Sequence, residues 1–541
     1  LLASRGCEKT MPTNAALSPP GALDLLLISP ELVLMGAGMV LLLVEMLAPR
    51  RTGLTGWLCV LALIGALACV FWGPHRHLAG LGDVPFFTRA VGSTAAITGF
   101  QGNVVLDGFA LTMRYVVLVG SLLSALMGIR YAERFRNPGE FFALLLFATS
   151  AATLLTSASD LLMIYLTVEF LSISSYIMVG YLKFQPRSTE AAMKYFLYGA
   201  ITAAVMLYGM SLLYGMSGTT SLYDVRGISD GVEGVVRPSF AAGLEAARSQ
   251  PGGAGVILVA IVLMAVGFGF KIAMAPFHQW VPDVYDGSPL PVMAWLSVAS
   301  KAAGMAVFVR VFVTVLPAEY WVFPVAVLAA LTMTVGNLAA LPQYNIKRML
   351  AYSSVSHAGY TLMAVAALGA GGGVNPRTGE LSQWQTYGVA VYLATYVFMN
   401  LGALAVVTAV YGKIKSHRIE DYAGLSQRAP GLAWLMVFFM LSLAGLPPTA
   451  GFWGKFVVFA AVIETTPKVN LVWLAVVGFI NSVISVYYYW GIVRAMFLLK
   501  SPSDEEVRPA WELNLAVGLA AVATLGIFLF AGRFMELFGP G

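Results

Sequence analysis

The sequence predicts an all-α, polytopic membrane protein of about fourteen transmembrane helices, and three observations carry that prediction. Of its 541 residues, 59% are hydrophobic and 11% charged, with a mean hydropathy of +0.79, a balance foreign to water-soluble domains of this length. Apolar runs of about 20 residues, the length that crosses a bilayer as a helix, recur along almost the whole chain. The short breaks between them are alternately rich and poor in Lys and Arg, as expected when successive loops face opposite sides of a membrane.

Taken in order, the apolar runs between polar or Gly/Pro-rich breaks place helices near 25–47, 55–73, 107–129, 140–158, 160–182, 190–215, 253–276 and 287–315. The second half adds helices near 320–341, 349–370, 385–411, 431–463, 469–495 and 512–535. An even number puts both termini on one side. Alternate loops carry Arg50 and Arg51, then Arg130, Arg134 and Arg136, then Lys183 and Arg187, then Lys347 and Arg348, then Lys413, Lys415, Arg418 and Arg428, then Arg494, Lys500 and Arg508. The opposite set includes the long stretches 74–106 and 216–252 with fewer basic residues in more sequence. Both termini are therefore expected on the non-cytoplasmic side.

The organisation expected is one membrane domain over 25–541, with no soluble domain, behind an N-terminal segment of residues 1–24. The first methionine is Met11, so the residues before it read as an upstream extension from a misplaced start, and nothing there resembles a cleaved signal sequence. The net charge of +5 is too small for a nucleic-acid footprint and reports orientation in the bilayer instead. Cys7, Cys59 and Cys69 form no C-x-x-C pair and the five histidines are scattered, so neither an iron–sulfur nor a zinc site is legible. Electron transfer is expected elsewhere, and no cofactor is expected on this chain.

Inside the expected spans stand Glu31, Glu45, Arg114, Glu169, Lys194, Lys271, Lys301, Arg310 and Lys455. A charge at mid-bilayer costs at least about 2.5–3.5 kcal/mol, so one that persists faces a polar interior, pairs with another charge or serves transport. Glu31, Glu45, Arg114 and Arg310 lie near helix ends, where snorkelling to the interface explains them. Glu169 lies about nine residues, or roughly 13 Å, from the start of its helix, with Ser172 on the same face at i+3. Lys301 is equally central, flanked by the small residues Ser297, Ala299, Ser300, Ala302 and Ala303 that let helices approach closely. A structural ion pair is the plain alternative for both. Lys194 lies one turn into its helix, where snorkelling and transport remain equally open.

Two helices read as interrupted. In GFGFKIAMAPFHQWVPDVYDGSPLPV, Lys271 precedes Pro276 by five residues, and in LSLAGLPPTAGFWGKFVVF, Lys455 follows Pro448 by seven. Proline removes a helical hydrogen bond, and Gly/Pro-broken segments in corresponding halves point to inverted repeats with a site at the bilayer middle. The alternative is an ordinary kink with a snorkelling lysine. Broken helices expose backbone groups that need water or side-chain partners, so a hydrated interior is expected beside each lysine. Burial disfavours the charged amine and a nearby carboxylate favours it, so a Glu–Lys pair followed by further lysines suits proton relay. His357, in YSSVSHAGY, lies about two turns into its span and either joins that row or packs as an ordinary helix-interface histidine.

From about residue 25 onward, the stretches FKIAMAPFHQWVPDVYDGSPLPVMAWLSVASKAA, NIKRMLAYSSVSHAGY and AGLPPTAGFWGKF resemble the antiporter-like membrane subunits of respiratory complex I, relatives of Mrp-type sodium/proton antiporters. PDVYDG and SVASKAA suit the N branch of that family and not L or M, as does the lack of the C-terminal lateral helix that lengthens L. The resemblance implies fourteen helices with two inverted five-helix repeats, about 140–315 and 320–495. It implies proton-path roles for Glu169, Lys194, Lys271, Lys301 and Lys455. It also implies that NADH, FMN, iron–sulfur clusters and quinone belong to partner subunits, that neighbouring antiporter-like and small membrane subunits contact this chain, and that it resides in a bacterial inner membrane.

The expected function is proton translocation within an NADH:quinone oxidoreductase. The rival readings are a subunit of an Mrp-type antiporter or membrane-bound hydrogenase, a purely structural membrane spacer, and a free-standing solute carrier.

Overall fold

The structure, a computed structural model, describes residues 21–49, 51–72, 97–223, 225–229, 232–237, 239–371, 382–465, 469–501 and 505–536. The expected segment before Met11, Arg50 and most of the 74–106 stretch lie outside the described residues.

Among the described residues, fourteen crossings are formed. We number them α1 (Ser29–Leu47), α2 (Thr52–Trp72), α3 (Gly108–Tyr131), α4 (Pro138–Ser157), α5 (Leu161–Val179), α6 (Pro186–Ser217), α7 (Gly253–Ile272), α8 (Leu290–Thr314), α9 (Ala318–Ala340), α10 (Ile346–Gly371), α11 (Gln383–Ile414), α12 in two halves (Pro430–Ala444 and Ala450–Ile463), α13 (Val472–Leu498) and α14 (Trp511–Leu529). Twelve of these are long and apolar enough to cross a membrane. The remaining two are α12, whose halves are 15 and 14 residues long, and α10. The latter spans 26 residues, but Ser353, Ser354, Ser356, His357 and Thr361 make it the most polar crossing.

Local chemistry explains the ends. Asp160 and Asp107 sit just before α5 and α3 and accept hydrogen bonds from Leu162 and Ala110 backbone N–H groups, at 2.9 and 2.8 Å, satisfying donors that a first turn leaves unpaired. Pro138, Pro186 and Pro430 each open a helix, where proline's missing N–H is not needed. Gly218 closes α6 in the left-handed conformation, φ 71, which glycine adopts without a Cβ penalty.

Helices α8 and α11 are enclosed by their neighbours, whereas α1, α6, α9, α13 and α14 turn apolar faces outward, with Ile201, Phe323 and Phe479 more than half exposed. That outer surface suits lipid. Polar links fasten helices inside: Asn337 on α9 donates to Asn481 on α13 at 3.0 Å and accepts from Tyr488 at 2.8 Å.

The two discontinuities expected from proline and glycine are present. Helix α7 stops at Ile272 and resumes as Trp280–Gly287; α12 breaks between Ala444 and Ala450. Each is the fourth helix in a run of five, α4–α8 and α9–α13. Five crossings reverse direction, so the second run starts on the side opposite the first, which is the geometry of an inverted repeat. Three features were not anticipated: a π-helical turn in α8 at Leu296–Ser300, antiparallel hairpins pairing Ile97–Gly99 with Val104–Leu106 and Val225–Ser229 with Val232–Arg237, and a helix at Phe240–Arg248. The hairpins and that helix lie in the long stretches read above as loops.

Candidate functional site

Buried charges divide into two kinds, and their partners separate them. Arg114 and Glu31 form an ion pair at 3.1 Å, with side chains 0% and 5% exposed. Arg310 forms another with Asp107, donating from both terminal nitrogens at 3.0 and 3.1 Å and from one of them to Tyr223 at 2.9 Å. These corrections replace the snorkelling expected for Glu31, Arg114 and Arg310: the side chains turn inward and pair across helices, because a guanidinium cannot shed its proton and a buried charge needs a counter-charge. Glu45 is also buried, its carboxylate accepting from the Gly139 N–H at 2.9 Å.

The second kind lies midway along the helices. Lys271, Lys301, His357 and Lys455 are each at most 5% exposed, and among the described residues no carboxylate lies within ion-pair distance of any of the three lysines. Lys271 occupies the last turn of α7, followed by Ala273 in the left-handed conformation, φ 63. Backbone groups at the break find partners: Trp280 Nε1 donates to the Phe270 carbonyl at 3.1 Å and the Ala275 N–H donates to Thr332 Oγ1 at 3.0 Å. The Lys271 amine donates to Ser172 Oγ at 3.0 Å. Among the described residues it forms no ion pair with Glu169. Glu169 is half-buried one turn away on α5, near enough for its charge to act on Lys271 but beyond an ion pair, and its Oε1 has no hydrogen-bond partner. Ser172, three residues on from Glu169, donates in turn to the Val168 carbonyl at 2.6 Å.

Lys301 follows the π turn of α8 and donates to both the carbonyl and Oγ of Ser354 on α10, each at 2.9 Å. Three residues further along α10, His357 Nδ1 meets Tyr392 Oη at 2.7 Å and Nε2 meets Tyr489 Oη at 3.2 Å. Tyr489 Oη is also hydrogen-bonded to Ser353 Oγ at 2.5 Å. Between Lys301 and His357 lies a cavity with about 10 Å³ for a water centre, the room of about one molecule. Another turn along α10, the Tyr360 ring lies 4.8 Å beneath the Lys455 amine. Lys455 donates to the Ala444 carbonyl at 2.7 Å and to Ser482 Oγ at 2.8 Å.

Lys271 thereby sits in the last turn of its half helix, and the Lys455 amine reaches from the start of the second half of α12 to the C-terminal end of the first, where terminal carbonyls leave partial negative charge. Each also lies over a glycine. A Cβ on Gly304 would come within 3.0 Å of Lys271 Cγ, and one on Gly445, φ 85, within 2.5 Å of Lys455 Cδ.

The structure brings Glu169, Lys271, Lys301, His357 and Lys455 into one series across α5, α7, α8, α10 and α12. Lys194 stands apart from it. Its side chain is 39% exposed and pairs with Glu190 at 2.7 Å and Asp283 at 2.8 Å, and Arg348 completes the cluster at 2.8 Å from Asp283. Lys347, read above as a loop cation, is instead buried and donates to the Asp286 and Ser288 carbonyls, each at 2.7 Å. Sequence reasoning missed Ser354, Tyr392, Tyr489 and Asp283. The dense hydroxyls of YSSVSH were the available signal for the first; nothing local marks the two tyrosines, which reach His357 from different helices.

The partners in the central series are hydroxyls and carbonyls. A serine or tyrosine hydroxyl accepts from an ammonium and donates to a neutral amine, so each lysine keeps a partner in either protonation state. The paired arginines have no such second state. The arrangement can therefore hold or pass protons at mid-membrane while the ion pairs near the helix ends stay fixed.

The model of the NADH:quinone oxidoreductase/Mrp antiporter transmembrane family matches residues 158–485, a span holding both broken helices and all six candidate residues. The chain is similar to NADH-quinone oxidoreductase subunit N 1 of Koribacter versatilis, with 38% identity over 95% of this chain and 94% of that protein. It is similar to a chain of respiratory complex I from Thermus thermophilus, with 30% identity and a TM-score of 0.70 over 95% of this chain and 100% of that one. In fold alone it is similar to a chain of an archaeal membrane-bound sulfane sulfur reductase, with 21% identity and a TM-score of 0.77 over 95% and 96% of the two chains. With the family's own segment covering more than half of its length, and its relatives aligned across nearly all of it, this chain belongs to the NADH:quinone oxidoreductase/Mrp antiporter transmembrane family, on the subunit N branch.

Proposed function

We propose that this chain is the proton-translocating subunit N of a bacterial NADH:quinone oxidoreductase, and that protons cross it along Glu169, Lys271, Lys301, His357 and Lys455. One observation carries the reading. The mid-membrane lysines are buried against ambidextrous hydroxyls and carbonyls, while the arginines of the same molecule are locked to carboxylates. A spacer whose charges only pin helices would pair them all. Lys194, with Asp283 and Arg348, serves at the end of the resumed part of α7, where proton entry is set by an exposed cluster instead of a buried amine.

Electron transfer from NADH through FMN and iron–sulfur clusters to quinone belongs to partner subunits, and the chain itself contacts neighbouring antiporter-like and small membrane subunits. The chain resides in the inner membrane with both termini on the non-cytoplasmic side, and its inverted repeats run over about 140–315 and 320–495. The family's Mrp-type members supply the competing reading, exchange of sodium for protons.

The test is Lys271→Ala in the native complex, with assembly confirmed on a native gel and NADH-driven quinone reduction and proton pumping measured in membrane vesicles. Loss of most of both supports a proton path coupled to redox turnover. Wild-type values for both would make Lys271 structural and end the proposal.

A further inference from the structure

An open pocket of about 420 Å³ lies between the turn joining α3 to α4 and the turn joining α5 to α6. Arg134, Arg136 and Lys183 line it, and among the described residues none of the three forms an ion pair. The pocket's carboxylate, Glu140, accepts instead from Asn137 Nδ2 at 2.7 Å. Three cations thus face one carboxylate, and the pocket keeps a net positive charge.

The walls are held in place. Tyr181 Oη donates to the Asn137 carbonyl at 2.5 Å and so ties one turn to the other. The Arg134 guanidinium lies 4.8 Å from the ring centres of both Tyr131 and Tyr411, a cation–π seat that fixes its position without neutralising it.

The pocket's lower rim is apolar. Phe184 is 81% exposed and Ile177 is 50% exposed. From Ile177 a row of outward side chains, Ile173, Phe170, Leu166 and Leu162, runs back along α5. At 1.5 Å per residue that row is about 22 Å long, which suits an extended acyl chain lying along the helix. Basic pockets beside apolar helix faces at the cytoplasmic surface are where anionic headgroups bind, because that leaflet carries the anionic lipids.

We propose that this pocket holds the phosphate headgroup of an anionic phospholipid, with Arg134, Arg136 and Lys183 as its cationic ligands and an acyl chain on the α5 row. Guanidinium groups suit the phosphate diester because they donate in a planar fork. The inference rests on the membrane orientation proposed above and on the pocket, and not on protons moving along the lysines.

The test uses the native complex. A photo-crosslinking amino acid placed at Phe184 is irradiated in membranes, and the adduct is identified by mass spectrometry. In parallel, Arg134→Gln, Arg136→Gln and Lys183→Gln are combined, assembly is checked on a native gel, and phospholipids retained after mild-detergent purification are quantified by class. A phospholipid adduct at Phe184, with loss of phosphatidylglycerol or cardiolipin but not phosphatidylethanolamine from the triple variant, supports the site. An adduct to a partner subunit overturns it in favour of an acidic protein segment. Unchanged retention of anionic lipid by an assembled triple variant overturns it as well, and a triple variant that fails to assemble leaves the Phe184 adduct to decide.

Discussion

Lys301 donates to the backbone carbonyl and the hydroxyl of the same residue, Ser354, at 2.9 Å each. The amine at the centre of the molecule is thereby held by one fixed acceptor and one that can reverse. Lys301→Ala is expected to lower proton-coupled quinone reduction roughly a hundredfold or more, the low side of what a positioned proton-transfer group contributes. Ser354→Ala keeps the carbonyl and is expected to cost only a few-fold. Pumping in inverted vesicles, per assembled complex, separates the two; wild-type pumping by Ser354→Ala would contradict the reversible-acceptor reading.

The Arg310–Asp107 pair predicts the opposite pattern, a loss of assembly and not of turnover. Removing one member leaves a buried charge unpaired and costs about 3–5 kcal/mol, whereas replacing both by apolar groups is far less damaging. Arg310→Met is expected to deplete the assembled complex on a native gel, and Arg310→Met combined with Asp107→Leu to recover much of it. Failure of the double variant to recover any would show that the bonds to Tyr223 and the Thr156 carbonyl matter more than the pairing.

Gly445 carries two separate constraints, a positive φ and the stem of Lys455. Gly445→Ala should destabilise the α12 break by about 1 kcal/mol or more through strain alone and also push Lys455 off the Ala444 carbonyl. Pumping is expected to fall further than thermal stability suggests. Gly431→Ala in the same helix, where a Cβ meets nothing within 4 Å, is the control and should leave pumping unchanged.

His417, in the loop after α11, predicts an acid limit. Burial, reinforced by the nearby cations Lys347, Arg134 and Arg187, holds its pKa down at about 3 against the ordinary 6.5. Between those values the unfolded chain binds the proton that the folded loop refuses, so stability falls as pH drops from 6.5 toward 3. Its contribution is intact above 6.5. His417→Phe, which keeps a ring against Tyr411, 4.2 Å away in the native stack, is expected to flatten the acid-side fall in the complex's melting temperature. An unchanged pH profile would rule this histidine out as its source.

Much of the architecture was legible because a bilayer leaves few options. Every run of about 20 apolar residues has to become a helix, and among the described residues twelve of the fourteen expected crossings are helices long and apolar enough to span a membrane. Pro276 and Pro448 marked both discontinuities because a missing N–H is a property of the residue itself. Glu169, Lys271, Lys301 and Lys455 stood out for the same reason, as charges that a membrane interior does not tolerate without cause.

What the sequence could not determine is which atoms meet. Depth along a helix says where a charge lies and nothing about the helix beside it, so Glu31, Arg114 and Arg310 read as snorkelling residues when they pair across helices with partners up to 203 positions away. The same limit left Ser172 unread as the partner of Lys271, moved Lys347 from loop to interior, and hid Tyr392 and Tyr489 as ordinary aromatic residues. Composition and proline placement set the crossings, since each acts within a single helix. Only the packing of helices against one another decided which buried charges are locked and which are free to change.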